Sequence, residues 1–339
     1  MLSCLRRAGV EVVEHHVGVW EGGRRNWAAG APVAGRLALA EARLLAQRPR
    51  EPFDAVLVGY PGHLDLPAAR RAARGRPVLF NPLVSLHETL VEDRGRFATG
   101  SLAARALLAV DRAALRAADL VVADTEANAR HLAGLGGLPP ARVATCFVGA
   151  EERLFRAAWR PPNDFHVLFV GKLIPLHGLE TILAAARLAP EVPFRVVGSG
   201  QLDALLADRS PNVTWVDWVE YERLPDCTSS SGCALGIFGT SAKAARVIPN
   251  KAFQALACGV PVVTADTPAA RELLRDGESA LLVPPGDAQA LAAAVRRLAQ
   301  DPALARHVGA GGLDAYRARA SEDVLGRRWR GLVERAVAA

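Results

Sequence analysis

Eleven short apolar runs recur along this chain, with stretches of apolar residues at helical spacing between them, and few architectures accommodate that rhythm. The runs are Val10–Val13, Ala55–Val58, Val78–Phe80, Leu120–Ala123, Val143–Phe147, Val167–Val170, Phe194–Val197, Val213–Val216, Cys233–Ile237, Val260–Thr264 and Ala280–Val283. Most are continuous rather than alternating, as strands of a parallel sheet buried on both faces are. Between them, stretches such as Gly178–Leu188 and Asp287–Leu298 gather their apolar residues on one helical face. A βαβα order of this kind calls for doubly wound α/β domains. With 339 residues the chain exceeds what one core ordinarily supports, so two domains are expected. The polar, proline-containing stretch Trp159-Arg160-Pro161-Pro162-Asn163-Asp164 falls between two strand series and reads as a linker. This predicts one domain over 1–158, a second over 165–320, and a closing Arg-rich helix over 321–339 with Trp329 and Leu332 on its apolar side.

The opening departs from the doubly wound pattern, which begins with a strand and a Gly-rich turn before its first helix. Here residues 1–9 read as the end of a helix and lead straight into the run Val10–Val13. The first domain is therefore expected to lack its first strand and Gly-rich loop. Five cysteines, odd in number and without a CxxC pair, read as free thiols of a reducing compartment. No apolar run approaches the roughly 20 residues that span a bilayer, and no signal peptide is visible. The expectation is a cytoplasmic protein. A net charge of +6, with 19 Arg against 14 Asp and Glu in the first 150 residues, leaves two readings of those arginines open. They are solvated helix faces, or a docking surface for an anionic membrane at its inner face or for a phosphorylated acceptor. With 6% aromatic residues and no basic run interleaved with them, nucleic acid is not an expected partner.

Only three of the 41 basic residues are lysine: Lys172, Lys243 and Lys251, all near expected strand ends or helix starts. A lysine is a compact point charge suited to phosphate, whereas arginine is a planar fork. Lys172 follows the strand of HVLFVGKLIPLHG and precedes a helix, where ligands of open α/β sheets bind; it reads as a phosphate contact or as a surface lysine. His177 in the same loop reads equally as a further donor or as a turn residue. The next strand runs into Gly198-Ser199-Gly200, a weak signal alone that gains weight beside the Lys172 loop. In Gly239–Gly259, Pro249 and Asn250 suit a helix start with Asn250 as cap. Lys251 in the first turn would converge with the helix amides on one anion, and Gln254 follows on the same face.

In order, these stretches resemble the retaining GT-B glycosyltransferases of the group 1, or family-4, type. HVLFVGKLIPLHGLETIL is similar to that family's strand, G-[RK]-L loop and helix, FRVVGSG to its VGxG, and VTWVDWVEYERLP to its V-x-[FW]-x-G-x-V. KAFQALACGVPVVTADTPAARELLRDGESALLVPPGD follows its E-A-[ML]-A-x-G-x-P-V-[VI] signature through to G-D. NPLVSLHETLVEDR and ADLVVADTEANARHL match the first half more loosely.

The resemblance implies two Rossmann-like domains facing across a cleft, with a nucleotide-diphosphate sugar on the second. It implies transfer of a hexose to a saccharide, lipid-linked or small-molecule acceptor with retention of configuration, and no bound metal or other cofactor. By match, Gly171, Lys172 and His177 take the diphosphate positions, with Gly198, Gly200, Trp218, Val219, Asn250 and Lys251 bordering the donor. Gln254 takes the place of a glutamate that contacts ribose, and His87 that of the histidine near the transferred sugar. The family's E-x7-E pattern would put glutamates at positions 246 and 254. The chain has Arg246 and Gln254, with Lys243 nearby, which inverts the charge beside the donor sugar. A nucleotide-binding paralogue of weak activity, an N-terminally truncated product and a sugar-nucleotide epimerase share the fold and are alternative readings.

Overall fold

The computed structural model describes residues 1–19, 31–47, 49 and 51–339. Two parallel sheets organise them. The first is built from β1 (Val56–Val58), β2 (Val78–Phe80), β3 (Leu120–Ala123) and β4 (Val143–Thr145), side by side in chain order. Its helices are α1 (Leu2–Arg7), α2 (Ala31–Ala46), α3 (Leu66–Ala73), α4 (Leu102–Ala117) and α5 (Glu126–Gly136). The period of two along each strand sorts its side chains onto two faces. Phe80, Val121 and Ala123 meet Leu66, Leu115 and Leu132 of α3, α4 and α5. Leu79, Leu120 and Val122 face the other way, onto Cys4 and Leu5 of α1 and onto Leu325, Trp329 and Leu332 near the end of the chain.

The second sheet contains β5 (Val167–Val170), β6 (Phe194–Val197), β7 (Val213–Val216), β8 (Cys233–Leu235), β9 (Val262–Ala265) and β10 (Leu281–Val283). Its order is β10-β9-β8-β5-β6-β7, every pair parallel. After β5 the chain builds outward to β7, then returns to the other side of β5 for β8. The carboxyl ends of β5 and β8 thus flank a topological switch point, where crevices form in open α/β sheets. Helices α6 (Leu179–Leu188), α7 (Leu224–Ser229), α8 (Asn250–Cys258), α9 (Pro268–Arg271), α10 (Ala288–Gln300) and α11 (Pro302–Arg319) accompany this sheet. The last helix, α12 (Glu322–Ala338), carries Leu325, Trp329 and Leu332 back to the first sheet. Burial of such side chains contributes about 1.5–3 kcal/mol each, enough to hold it there.

Two strand expectations are corrected. Val10–Val13 is not a strand: it joins no ladder with a described strand, Val10 and Val12 are partly buried against the first sheet's core, and Val13 is 55% exposed. β-branched composition alone does not make a strand without a ladder partner. The run at Val260–Thr264 begins two residues later, because Pro261 has no N–H to donate and only its carbonyl joins the ladder, accepting from Ala234. The expected linker packs at its first residue against the second domain. Trp159 is buried in the second core, its indole Nε1 donating to the Ser231 carbonyl at 2.7 Å. Among the described residues no helix is long and apolar enough to cross a membrane, and all five cysteines are free thiols.

Candidate functional site

The carboxyl end of β5 delivers Gly171 and Lys172 into the crevice, and that of β6 delivers Gly198. These two loops touch through backbone. A Cβ on Gly198 would lie 2.0 Å from the Gly171 carbonyl oxygen, and Gly198 holds φ +131°, so glycine is required there. Gly200 continues the contact as a bridge to Leu173. At Gly171 the limit is a side chain: a Cβ would lie 2.9 Å from Lys251 Nζ.

Lys251 comes from the first turn of α8, which has no side-chain cap and no acidic residue in that turn, so its N-terminal amides keep their positive field. The expected cap is corrected here. Pro249 is the N-cap residue, and Asn250 lies inside the helix, exposed, without capping. The Lys251 amine lies 4.1 Å from the centre of the Phe169 ring, buried and without a hydrogen-bond partner. Burial pushes its pKa well below the ordinary lysine value.

His177 packs edge-on against the same ring at 5.6 Å, and its Nδ1 lies 2.5 Å from the Lys172 carbonyl oxygen. That contact needs a proton on Nδ1, which leaves Nε2 an acceptor when the ring is neutral. Burial first, then the charge of Lys251, holds the ring's pKa well below the usual histidine value. As placed, His177 is a neutral brace for the Lys172 loop rather than a second cation. Lys172 itself is exposed, and burial of its ammonium together with the nearby charge of Arg94 lowers its pKa. Among the described residues neither Lys172, Lys251 nor Arg94 has a carboxylate within ion-pair distance.

Sequence reading did not single out Arg94. It comes from the opposite domain, and its Nε is buried without a partner. Its residue type was legible in LVEDRGR, but its approach to Lys172 depends on how the two domains meet.

The other two predicted cations turn toward that domain. Lys243 Nζ donates to Thr89 Oγ1 at 3.1 Å and to Asp93 Oδ2 at 3.3 Å. Arg246 pairs with Glu88, whose other oxygen lies 3.2 Å from His131 Nε2. Burial raises the Glu88 pKa, but His131, Arg246 and Lys243 outweigh it and leave the carboxyl below its usual value. Glu88 and Asp93 bound a π turn, whose hydrogen bonds run from i to i+5, and both reach the 243–246 loop. Helical periodicity would have separated them, and neither was singled out from the sequence, whereas His87 was, by its resemblance to the family's histidine. His87 lies one residue earlier, its backbone N–H donating to Asp111 and its Nδ1 3.4 Å from Glu92 Oε1.

Gln254 lies beside Tyr221, whose hydroxyl pKa is raised chiefly by burial. Trp218, 46% exposed and donating to Glu220, and Val219 follow β7, the edge strand, two strands from the switch point. The structure thus gathers Gly171, Lys172, His177, Gly198, Gly200 and Lys251 in one place. It sends Lys243 and Arg246 across the cleft. Among the described residues no cluster of three His, Cys, Asp or Glu side chains is arranged to hold a metal.

Two parallel-sheet domains, with cations and an uncapped helix at the carboxyl ends of one sheet, have the arrangement of the GT-B fold. The comparisons agree. The family described as "Glycosyl transferases group 1" matches residues 164–301, and a "Glycosyl transferase 4-like domain" matches residues 2–149. Together the two models take in both halves of the chain and support a GT-B glycosyltransferase. It is 29% identical over 323 residues to D-inositol 3-phosphate glycosyltransferase 1 of Catenulispora acidiphila, a match covering 84% of this chain and 74% of that one. In structure it is similar to sucrose-phosphate synthase from Thermosynechococcus elongatus, with TM-score 0.71 at 20% identity over 91% of this chain and 79% of that one. It is also similar to Anabaena Alr3699/HepE in complex with UDP-glucose, with TM-score 0.69 at 17% identity, covering 89% and 83%.

Proposed function

We propose that this glycosyltransferase takes a hexose from a nucleotide-diphosphate sugar and passes it, with retention of configuration, to a hydroxyl of a saccharide, lipid-linked or small-molecule acceptor. The proposal divides the chain into an acceptor-side domain over 1–158, a donor-side domain over 165–320 and a crossing helix over 321–339. The observation that carries the reading is the meeting of Lys172, the unpaired Lys251 amine and the open α8 N-terminus at the switch point. A diphosphate leaving group carries its charge into just such a place. Charge compensation falls to these groups rather than to a metal ion. The UDP-glucose complex of Alr3699/HepE supports a uridine donor, and the inositol-phosphate relatives support a polyhydroxylated acceptor.

A thermal-shift series with UDP, GDP, ADP and dTDP tests the reading. A nucleotide at 100 times its dissociation constant stabilises by about 2.7 kcal/mol, and the expectation is a shift with one base, UDP foremost. Four flat responses would sink the proposal. The second reading, nucleotide binding without transfer, draws on the engagement of Arg246 and Lys243 by opposing carboxylates. It predicts a thermal shift with no release of free sugar or glycoside.

A further inference from the structure

The segment 85–94 is gripped at both ends. At its back, Asp111 of α4 accepts from Ser85 Oγ at 2.6 Å, from the Leu86 N–H at 2.8 Å and from the His87 N–H at 2.9 Å. His63 Nε2 lies 3.4 Å from the same carboxylate, and both side chains are 1% exposed. A carboxylate with this many partners fixes the backbone around His87 to the first domain. At its front, Glu88 and Asp93 meet Arg246 and Lys243 of the second domain, with Glu88, Asp93 and Lys243 buried and Arg246 half-buried. Pairs so covered are screened little by salt, and loss of one partner strands the other.

The same 243–246 loop is held from a second direction, because Thr125 Oγ1 donates to the Arg246 carbonyl at 2.5 Å. Nearby, Glu272 accepts from the Glu126 and Ala127 amides at 2.7 and 2.8 Å, a carboxylate of one domain at the start of the other domain's α5. The backbone contacts of Thr125 and Glu272 set how near the domains come. The ion pairs set which residues face each other, and they do so on the loop that leaves β8 at the switch point.

We propose that Glu88 and Asp93 are positioning residues: by pairing with Arg246 and Lys243 they seat the His87 segment on the donor-side loop and fix the register of the closed cleft. The catalytic consequence rests on the transfer reading above, whereas the geometry does not. The segment they seat carries His87, so the pairs bear on the placement of His87 rather than on the Lys172 and Lys251 contacts. Weakening them therefore lowers turnover more than it lowers nucleotide affinity.

Charge exchange tests this. Glu88→Arg and Arg246→Glu are compared with the double exchange Glu88→Arg/Arg246→Glu by small-angle scattering, by UDP affinity and by the kinetics of UDP-glucose turnover. Each single reversal should enlarge the radius of gyration and lower kcat at least tenfold, with UDP affinity changed less than threefold. The exchange should recover most of both losses. Glu88→Gln keeps the side chain's shape and serves if a reversal fails to fold; it should shift both readouts in the same direction by a smaller amount. Folded single variants with unchanged radius and kcat would overturn the proposal, as would an exchange no better than the single reversals. So would an inert Glu88→Gln variant where the reversals do not fold. If the wild type ignores UDP and UDP-glucose but the scattering pattern holds, the donor assignment fails and the domain pairing stands.

Discussion

The C-terminal wall of the cleft is made largely of backbone: Gly171 and Gly198 bring two loops into contact, and α8 opens without a capping side chain. Among the described residues its nitrogens at Lys172 and Lys251 have no carboxylate beside them. The N-terminal wall is made of side chains, with Glu88 and Asp93 on a π turn pinned from behind by Asp111. One wall keeps the charge of Lys172 and the open α8 amides uncompensated, and the other has its negative charge matched by cations sent across to it. The proposed anion site thus rests on a frame that tolerates little change in shape. The proposed domain register rests on charged side-chain contacts instead.

The largest expected effect breaks the first wall's charge. Lys172→Ala should lower kcat for sugar transfer by about 10²–10³, the loss seen on removing one preorganised electrostatic donor. The exposed position of Lys172 predicts an unchanged melting temperature, so equal loss of activity and stability would place the residue in the frame instead.

Gly198→Ala attacks that frame and should cost about 3 kcal/mol or more in urea unfolding, since the added Cβ meets backbone on a strained φ. On the other domain Gly134, inside α5 with open space around it, serves as matched control. Gly134→Ala should stabilise by about 0.5–1 kcal/mol. Two changes of the same sign would remove the contrast between the walls.

Lys251→Met sharpens it further by removing a buried amine that has no partner, and should stabilise the protein by about 1–3 kcal/mol near neutral pH. The folded-state pKa of Lys251 is lowered, so over that range the unfolded chain binds more protons and wild-type stability rises with pH. The advantage of Met should therefore shrink as pH climbs toward about 10.4, the ordinary lysine value. The same variant should lose the UDP-induced thermal shift. A stabilised variant that still responds fully to UDP would free Lys251 from the donor site.

Much of the second domain was legible before folding. Val167–Val170, Phe194–Val197 and Val213–Val216 are strands with the predicted ends, and the glycines of the β5 and β6 loops converge with Lys251 of α8 beside Lys172. The first domain was read less well, because its chemistry lies in Ser85, Glu88, Asp93, Asp111 and Thr125, ordinary polar residues whose partners are far off in the chain. His177 shows the intermediate case. Its location was foreseen, but its neutral state follows from burial beside Lys251, which no local pattern encodes.

Strand runs, glycine turns and the start of α8 follow from periodicity and backbone preference, which act over a few residues, and the chain alone therefore specified the parallel sheets and the crevice at β5. Pairing and burial act across the fold. Arg246 meets Glu88 over a separation of 158 residues and Lys243 meets Asp93 over 150. Whether a lysine faces a carboxylate, a ring or open solvent depends on how two domains pack, and only the tertiary structure gave the three lysines three different surroundings.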